Sequence, residues 1–203
     1  MLYIFDMGGV LTTSVKMDGK LFSVLGISKE EFERVCGKSS SVKASPYFES
    51  LDLFKLCTDG VIDSEGFWSE FAERSGIAVK TDWFRCLFHP KRDEGTVAVI
   101  KALKAAGNRV VCGTNTISSH YATHVERGDY ALFDQTYASF WMGISKPNYG
   151  FWRIIMEAEE CLPKDVVFID DREENCEAAA DLGIRAIRFT SAGELAHELG
   201  ITI

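Results

Sequence analysis

Four short apolar runs, Leu2–Phe5, Val110–Cys112, Val166–Ile169 and Ala186–Phe189, constrain this chain more than anything else in it. The first three are apolar throughout and the fourth is broken only by Arg188; such runs describe strands buried on both faces, and such strands belong to parallel sheets covered by helices. The segments between them have helical periodicity. Asp93–Ala106 places Val97, Ile100 and Leu103 on one face and stops at Gly107, a residue suited to a helix C-terminus. Asn148–Glu160 places Tyr149, Trp152 and Ile155 in the same way, and a third helix near Glu173–Leu182 ends at Gly183. The alternation predicts an α/β fold, a parallel sheet with helices on both faces.

The stretch from Val15 to Pro90 departs from this pattern, with no strand run and several short helices. Ser28 followed by Glu31 is a capping-box pattern ahead of Phe32 and Val35. Asp63 or Ser64 starts another helix, carrying Phe67, Trp68 and Phe71 and ending near Gly76. The first strand is thus cut off from its sheet by a helical insertion. The chain divides into residues 1–14 plus 91–203 and an inserted unit, 15–90.

Twenty-two basic against thirty acidic side chains leave a net charge of −8, with no Lys/Arg cluster. A nucleic-acid backbone or an anionic membrane surface therefore finds no electrostatic footprint. No apolar run approaches the roughly 18 residues of a membrane span, and Met1–Phe5 breaks at Asp6. Six scattered cysteines without a C-x-x-C pair read as free thiols. The expectation is a cytoplasmic protein, monomer or homodimer, with no nucleic-acid or membrane partner.

Ligands of open parallel sheets bind beyond the carboxyl ends of the strands. Asp6 follows the first run, Thr114 and Asn115 the second, and Asp170-Asp171 the third, while Lys146 stands in Ser145-Lys146-Pro147. Each has an ordinary reading: an aspartate after a strand is usually a turn former or helix cap, and a lysine before proline is usually solvated. Together, three carboxylates in one crevice repel one another unless a cation sits between them, and hard oxygen ligands favour Mg²⁺.

These residues resemble, in order, the motifs of the haloacid dehalogenase-like hydrolases. Phe5-Asp6-Met7-Gly8-Gly9-Val10-Leu11 is similar to the first, Val110–Asn115 to the second, Lys146-Pro147 to the third, and Phe168-Ile169-Asp170-Asp171 with Asn175 to the fourth. The resemblance implies a Rossmann-like core with the insertion as a small helical cap domain. Its details are most similar to bacterial sugar phosphatases of the α-glucose-1-phosphatase type. It implies a Mg²⁺-dependent phosphatase acting on a small phosphorylated metabolite through an aspartyl-phosphate. Asp6 would be the nucleophile and a metal ligand, with the Gly8 carbonyl and Asp171 as further ligands and Asp170 a ligand through water or a support. Thr114 and the amide of Asn115 would hold phosphoryl oxygens, Gly9 would be a further substrate-binding residue, and Lys146 would neutralise charge.

One position departs from the family pattern. Phosphatases of this kind carry a second aspartate, the acid–base group, where this chain has Gly8. Three explanations stand open: a leaving group needing little protonation, such as a sugar 1-phosphate; a substitute acid from His89, Glu49 or Asp18; or a protein that is no phosphatase. The last would be a metal-independent dehalogenase or a catalytically weak binding protein. His120 and His124, four apart, read as an ordinary helix face rather than a metal pair.

Overall fold

The computed structural model describes residues 1–37 and 52–202. Its sheet has five parallel strands: β1 Leu2–Phe5, β2 Arg109–Thr114, β3 Gln135–Ala138, β4 Val166–Asp170 and β5 Arg185–Arg188, in the order β3-β2-β1-β4-β5. The four apolar runs are all strands. The fifth, β3, carries Gln-Thr-Tyr-Ala at a half-covered edge, where no apolar run is needed. The order places β1 in the centre, paired with β2 from Leu2↔Arg109 and with β4 from Leu2↔Val166. The topology reverses between β1 and β4, so the crevice lies beyond Phe5 and Asp170.

Alternate strand residues feed two apolar clusters. Phe5, Val110, Cys112, Val167 and Ile169 pack with Val97, Ile100 and Leu103 of the helix Glu94–Ala105 and with Leu195. Leu2, Ile4, Val111 and Phe168 pack with Phe151, Trp152 and Ile155 of the helix Tyr149–Ala158 and with Ala178 and Ala179 of Glu173–Ala180. Asp93 and Asn148 cap the first two of these helices through their side chains. Tyr149 does not join the face expected of it: it is the first helical residue, exposed, and its hydroxyl donates to Asp181 at 2.7 Å. The third helix stops at Ala180, and Arg172, rather than Asp170 or Asp171, occupies its N-cap position.

Residues of the 15–90 stretch build a third cluster. Among the described residues its helices are α1 Asp18–Leu25, α2 Lys29–Val35, α3 Leu53–Thr58, α4 Ser64–Ser75 and α5 Trp83–Leu87. Ser28 caps α2 by accepting from the Glu31 amide, and Asp63 caps α4 by accepting from Gly66. Phe32, Phe54, Phe67, Trp68, Phe71 and Phe84 interlock, with ring centroids as close as 4.5 Å between Trp68 and Phe84. Ile117, which follows β2, is buried in this cluster too. The two chain crossings run side by side: the Thr13 amide donates to Lys91 O and the Asp93 amide to Leu11 O, both at 2.8 Å. Glu49 and the polar stretch Ser39–Ser41 lie outside the described residues. No described helix is long and apolar enough to cross a membrane.

Candidate active site

Asp6 extends β1 by one residue, its amide donating to Ile169 O at 2.9 Å, and its side chain is buried. The chain then turns tightly, Leu11 and Thr12 both donating to Met7 O. Gly9 has a φ of +84°, and a Cβ there would collide with the Asp171 carboxylate. Glycine at this position therefore lets the turn approach Asp171. Gly8 differs, being exposed, with no atom within 4 Å of where a Cβ would stand.

Lys146 is buried rather than solvated. Its Nζ donates to Asp6 Oδ1 at 2.8 Å, Asp170 Oδ2 at 2.7 Å and Gly113 O at 2.9 Å, three acceptors for three ammonium hydrogens. The Asn115 side chain fixes the lysine's backbone from both sides, its Nδ2 donating to Lys146 O at 2.9 Å and its Oδ1 accepting from Lys146 N at 2.8 Å. Asp170 also accepts from the Arg172 amide at 2.9 Å and from Asn175 Nδ2 at 3.0 and 3.1 Å. Thr114 is buried, with only a long 3.5 Å contact from its hydroxyl to Asn115 O.

Oxygens of Asp6, Asp170 and Asp171 lie within 4.8 Å of one another, the one such cluster of potential metal ligands among the described residues. Burial pushes the Asp6 carboxyl up to about 6; Lys146 pulls the other way and Asp170 adds to the rise. Burial, then Asp170, also raises Asp171. Burial opposes the Lys146 charge, but Asp6 and Asp170 together hold its pKa above the usual lysine value. Three carboxylates face one ammonium, an excess of negative charge that a hard divalent cation matches. Asp170 is fully engaged by Lys146, Asn175 and the Arg172 amide, leaving Asp6 and Asp171 as the carboxylates with oxygens to offer.

The other sequence candidates stand apart. Asp18 and His89 are exposed and bond to none of these residues. His120 and His124 lie on the helix Ser118–Glu126, where His120 stacks on Phe88 at 3.8 Å and His124 Nδ1 pairs with Asp129 Oδ2 at 2.8 Å. Two serines beside the site were not among the sequence candidates. Ser139, fully buried, bonds to Thr116, and Ser145 accepts from Lys55 Nζ of α3 at 3.3 Å. No residue pattern marks either one.

A family model described as haloacid dehalogenase-like hydrolase matches residues 1–183. A GMP/IMP nucleotidase of Escherichia coli is 32% identical over 93 residues, 45% of this chain and 42% of that protein. A sesquiterpene phosphatase of Aspergillus oryzae is 26% identical over 97% of this chain and 93% of that protein. The chain thus spans less than half of the nucleotidase, and of another curated relative it spans only 13%. A HAD family enzyme of Bacteroides thetaiotaomicron, solved with magnesium and inorganic phosphate, superposes with a TM-score of 0.71 at 21% identity, covering 96% of this chain and 98% of that one.

Proposed function

Because the chain belongs to the haloacid dehalogenase-like hydrolases, we propose that it is a phosphatase whose nucleophile is Asp6, acting on a small phosphorylated metabolite with residues 15–90 as its cap. The observation that carries this reading is the engagement of Lys146 by Asp6 and Asp170 beside a further carboxylate, Asp171. Asp6 attacks phosphorus in line, forming the aspartyl–phosphoryl bond as the ester P–O bond breaks. Water then attacks phosphorus, releasing inorganic phosphate and regenerating Asp6. Such transfer depends on positioning and charge stabilisation. Lys146 orients Asp6 and offsets its charge, while the Thr114 hydroxyl and the amide of Asn115 face the phosphoryl oxygens; the Gly9 amide is engaged within its own turn, donating to Thr12 O at 2.7 Å. Asp6, Asp171 and the Gly8 carbonyl would hold Mg²⁺, with Asp170 their support; when bound, the ion supplies positive charge against the phosphoryl group.

Gly8 brings no proton donor, which favours an ester whose leaving oxygen departs unprotonated, a sugar 1-phosphate before a 6-phosphate. The names of relatives, a nucleotidase and a sesquiterpene phosphatase, keep nucleotides and prenyl phosphates as comparison substrates. A metal-independent dehalogenase or a mere binding protein gives no physical reason for Asp171 beside Asp6 and Asp170. The test is phosphate release from 1-phosphates, 6-phosphates and p-nitrophenyl phosphate, with Mg²⁺ and with chelator. Metal-dependent turnover is expected, lost in Asp6→Asn with the fold retained. Full activity in Asp6→Asn, or chelator-resistant halide release from haloacids, would refute the reading.

A further inference from the structure

We infer that Ser139 is a positioning residue, coupling the seating of α3 on the sheet core to the backbone of the Thr114–Asn115 loop. This rests on the reading of that loop as the phosphoryl-holding one. Ser139 follows β3 and is fully buried. Its Oγ accepts from the Thr116 amide at 3.0 Å and has two carbonyls within reach, Thr58 O at 2.7 Å and Thr116 O at 3.2 Å. A hydroxyl has one proton to donate. With α3 in place the nearer Thr58 carbonyl takes it. When α3 lifts, Thr116 O is the remaining acceptor, so the buried hydroxyl is satisfied in both arrangements while its hold on Thr116 changes.

The seat of α3 is built closely. Thr58 ends the helix, and the next turn brings Gly60, at a φ of +70°, so near Phe140 that a Cβ would collide with the Phe140 carbonyl. One turn earlier, Lys55 Nζ reaches Ser145 Oγ, next to Lys146. The loop leaving β2 is also held from the far side. Ile117 is buried in the apolar cluster of the insertion, the Ser64 amide donates to Ser118 Oγ at 3.1 Å, and the Ser119 amide donates to Ser64 Oγ at 3.3 Å. Residues 114–119 therefore begin in the sheet and end packed against the insertion, and Thr116 stands at the handover with its amide on Ser139. Misplacing a positioned group by about 1 Å costs on the order of 10²-fold in rate.

Two substitutions separate coupling from mere packing. Ser139→Val removes the hydroxyl at similar volume and Ser139→Thr keeps it; Gly60→Ala unseats α3 without altering Ser139. Measured on folded protein with Mg²⁺ and p-nitrophenyl phosphate, Ser139→Val and Gly60→Ala are each expected to lower kcat by about tenfold or more, with KM moving less. Ser139→Thr should recover most of the loss, and the double variant Ser139→Val with Gly60→Ala should be no slower than either single one, as coupled sites behave. Additive losses, or a lowered Tm with unchanged kcat, would overturn the inference. Should Ser139→Val fail to fold, amide hydrogen exchange at Thr116 in Gly60→Ala decides: acceleration supports the coupling and unchanged protection overturns it. Accelerated exchange in a protein whose wild type releases no phosphate would count against the phosphatase reading alone.

Discussion

Replacing Lys146 by methionine keeps the length and most of the volume of the side chain and deletes one buried charge. In the wild type that charge stands 2.8 Å from Asp6 and 2.7 Å from Asp170, with the lysine side chain 1% exposed. At 4.8 Å, the span within which the three carboxylates offer their oxygens, two unit charges repel by about 3.5 kcal/mol at an effective dielectric of about 20. Removing one partner from a buried ion pair costs about 3–5 kcal/mol in mutational experience, so the two routes agree in size. Urea denaturation at pH 7.5 in chelator should show Lys146→Met destabilised by about 3–5 kcal/mol, with part of the loss restored by Mg²⁺. Turnover should fall as well. Burial and Asp170 already carry Asp6 up to about 6 against the pull of Lys146, so without the lysine Asp6 titrates higher and, with Asp6 as the proposed nucleophile, the acid limb of the pH–rate profile moves up. A variant within about 0.5 kcal/mol of wild type in chelator would refute this account of the lysine, because surface-like charges change stability by no more than that.

Gly8→Asp installs the missing carboxyl where a Cβ meets no atom within 4 Å, so the fold should accept it. An acid–base group contributes about 10²–10⁴-fold, and the gain should appear on 6-phosphates rather than 1-phosphates; no change in the ratio of the two rates would argue that Gly8 does not limit leaving-group departure. The pH dependence of stability has a separate source in His120, which burial, then His124, holds down at about 4 from 6.5, against the pull of Asp82. Between those values the unfolded chain binds a proton that the folded chain does not, so stability falls as pH drops from 6.5 to about 4, by up to about 3 kcal/mol. His120→Phe should flatten that stretch of the Tm-against-pH curve, and superimposable curves would show that the acid sensitivity lies elsewhere.

The strands at Leu2–Phe5 and Val166–Asp170 could be read from the sequence because burial on both faces imposes an unbroken apolar run. The edge strand Gln135–Ala138 faces no such demand, and its polar residues hid it. The positions of Asp6, Lys146, Asp170 and Asp171 were legible through strand ends and motif order. What surrounds them was not: the acceptors of Lys146 lie 140 and 24 residues away along the chain, and only the sheet register brings them together. Gly9 was read as a substrate contact from its place in the motif; its amide donates to Thr12 O at 2.7 Å and a Cβ on it would meet the Asp171 carboxylate, through-space relations that spacing cannot encode. Tyr149 fits the apolar face by period yet sits at the first turn of its helix, where its hydroxyl finds Asp181.

The burial of Ile117 among Phe67, Phe84 and their neighbours bears on how such a chain can be recombined. Joints at 14/15 and 90/91 look like clean places to exchange the helical segment for one from a relative. A graft made there alone would bring foreign helices against Ile117, Ser118 and Ser119, residues fitted to the departing partner through apolar contact and through Ser64 and Asp82. The transferable unit is discontinuous: two joints in the chain and a short third piece following β2, which must travel with the helices for a chimera to keep the loop after β2 in register.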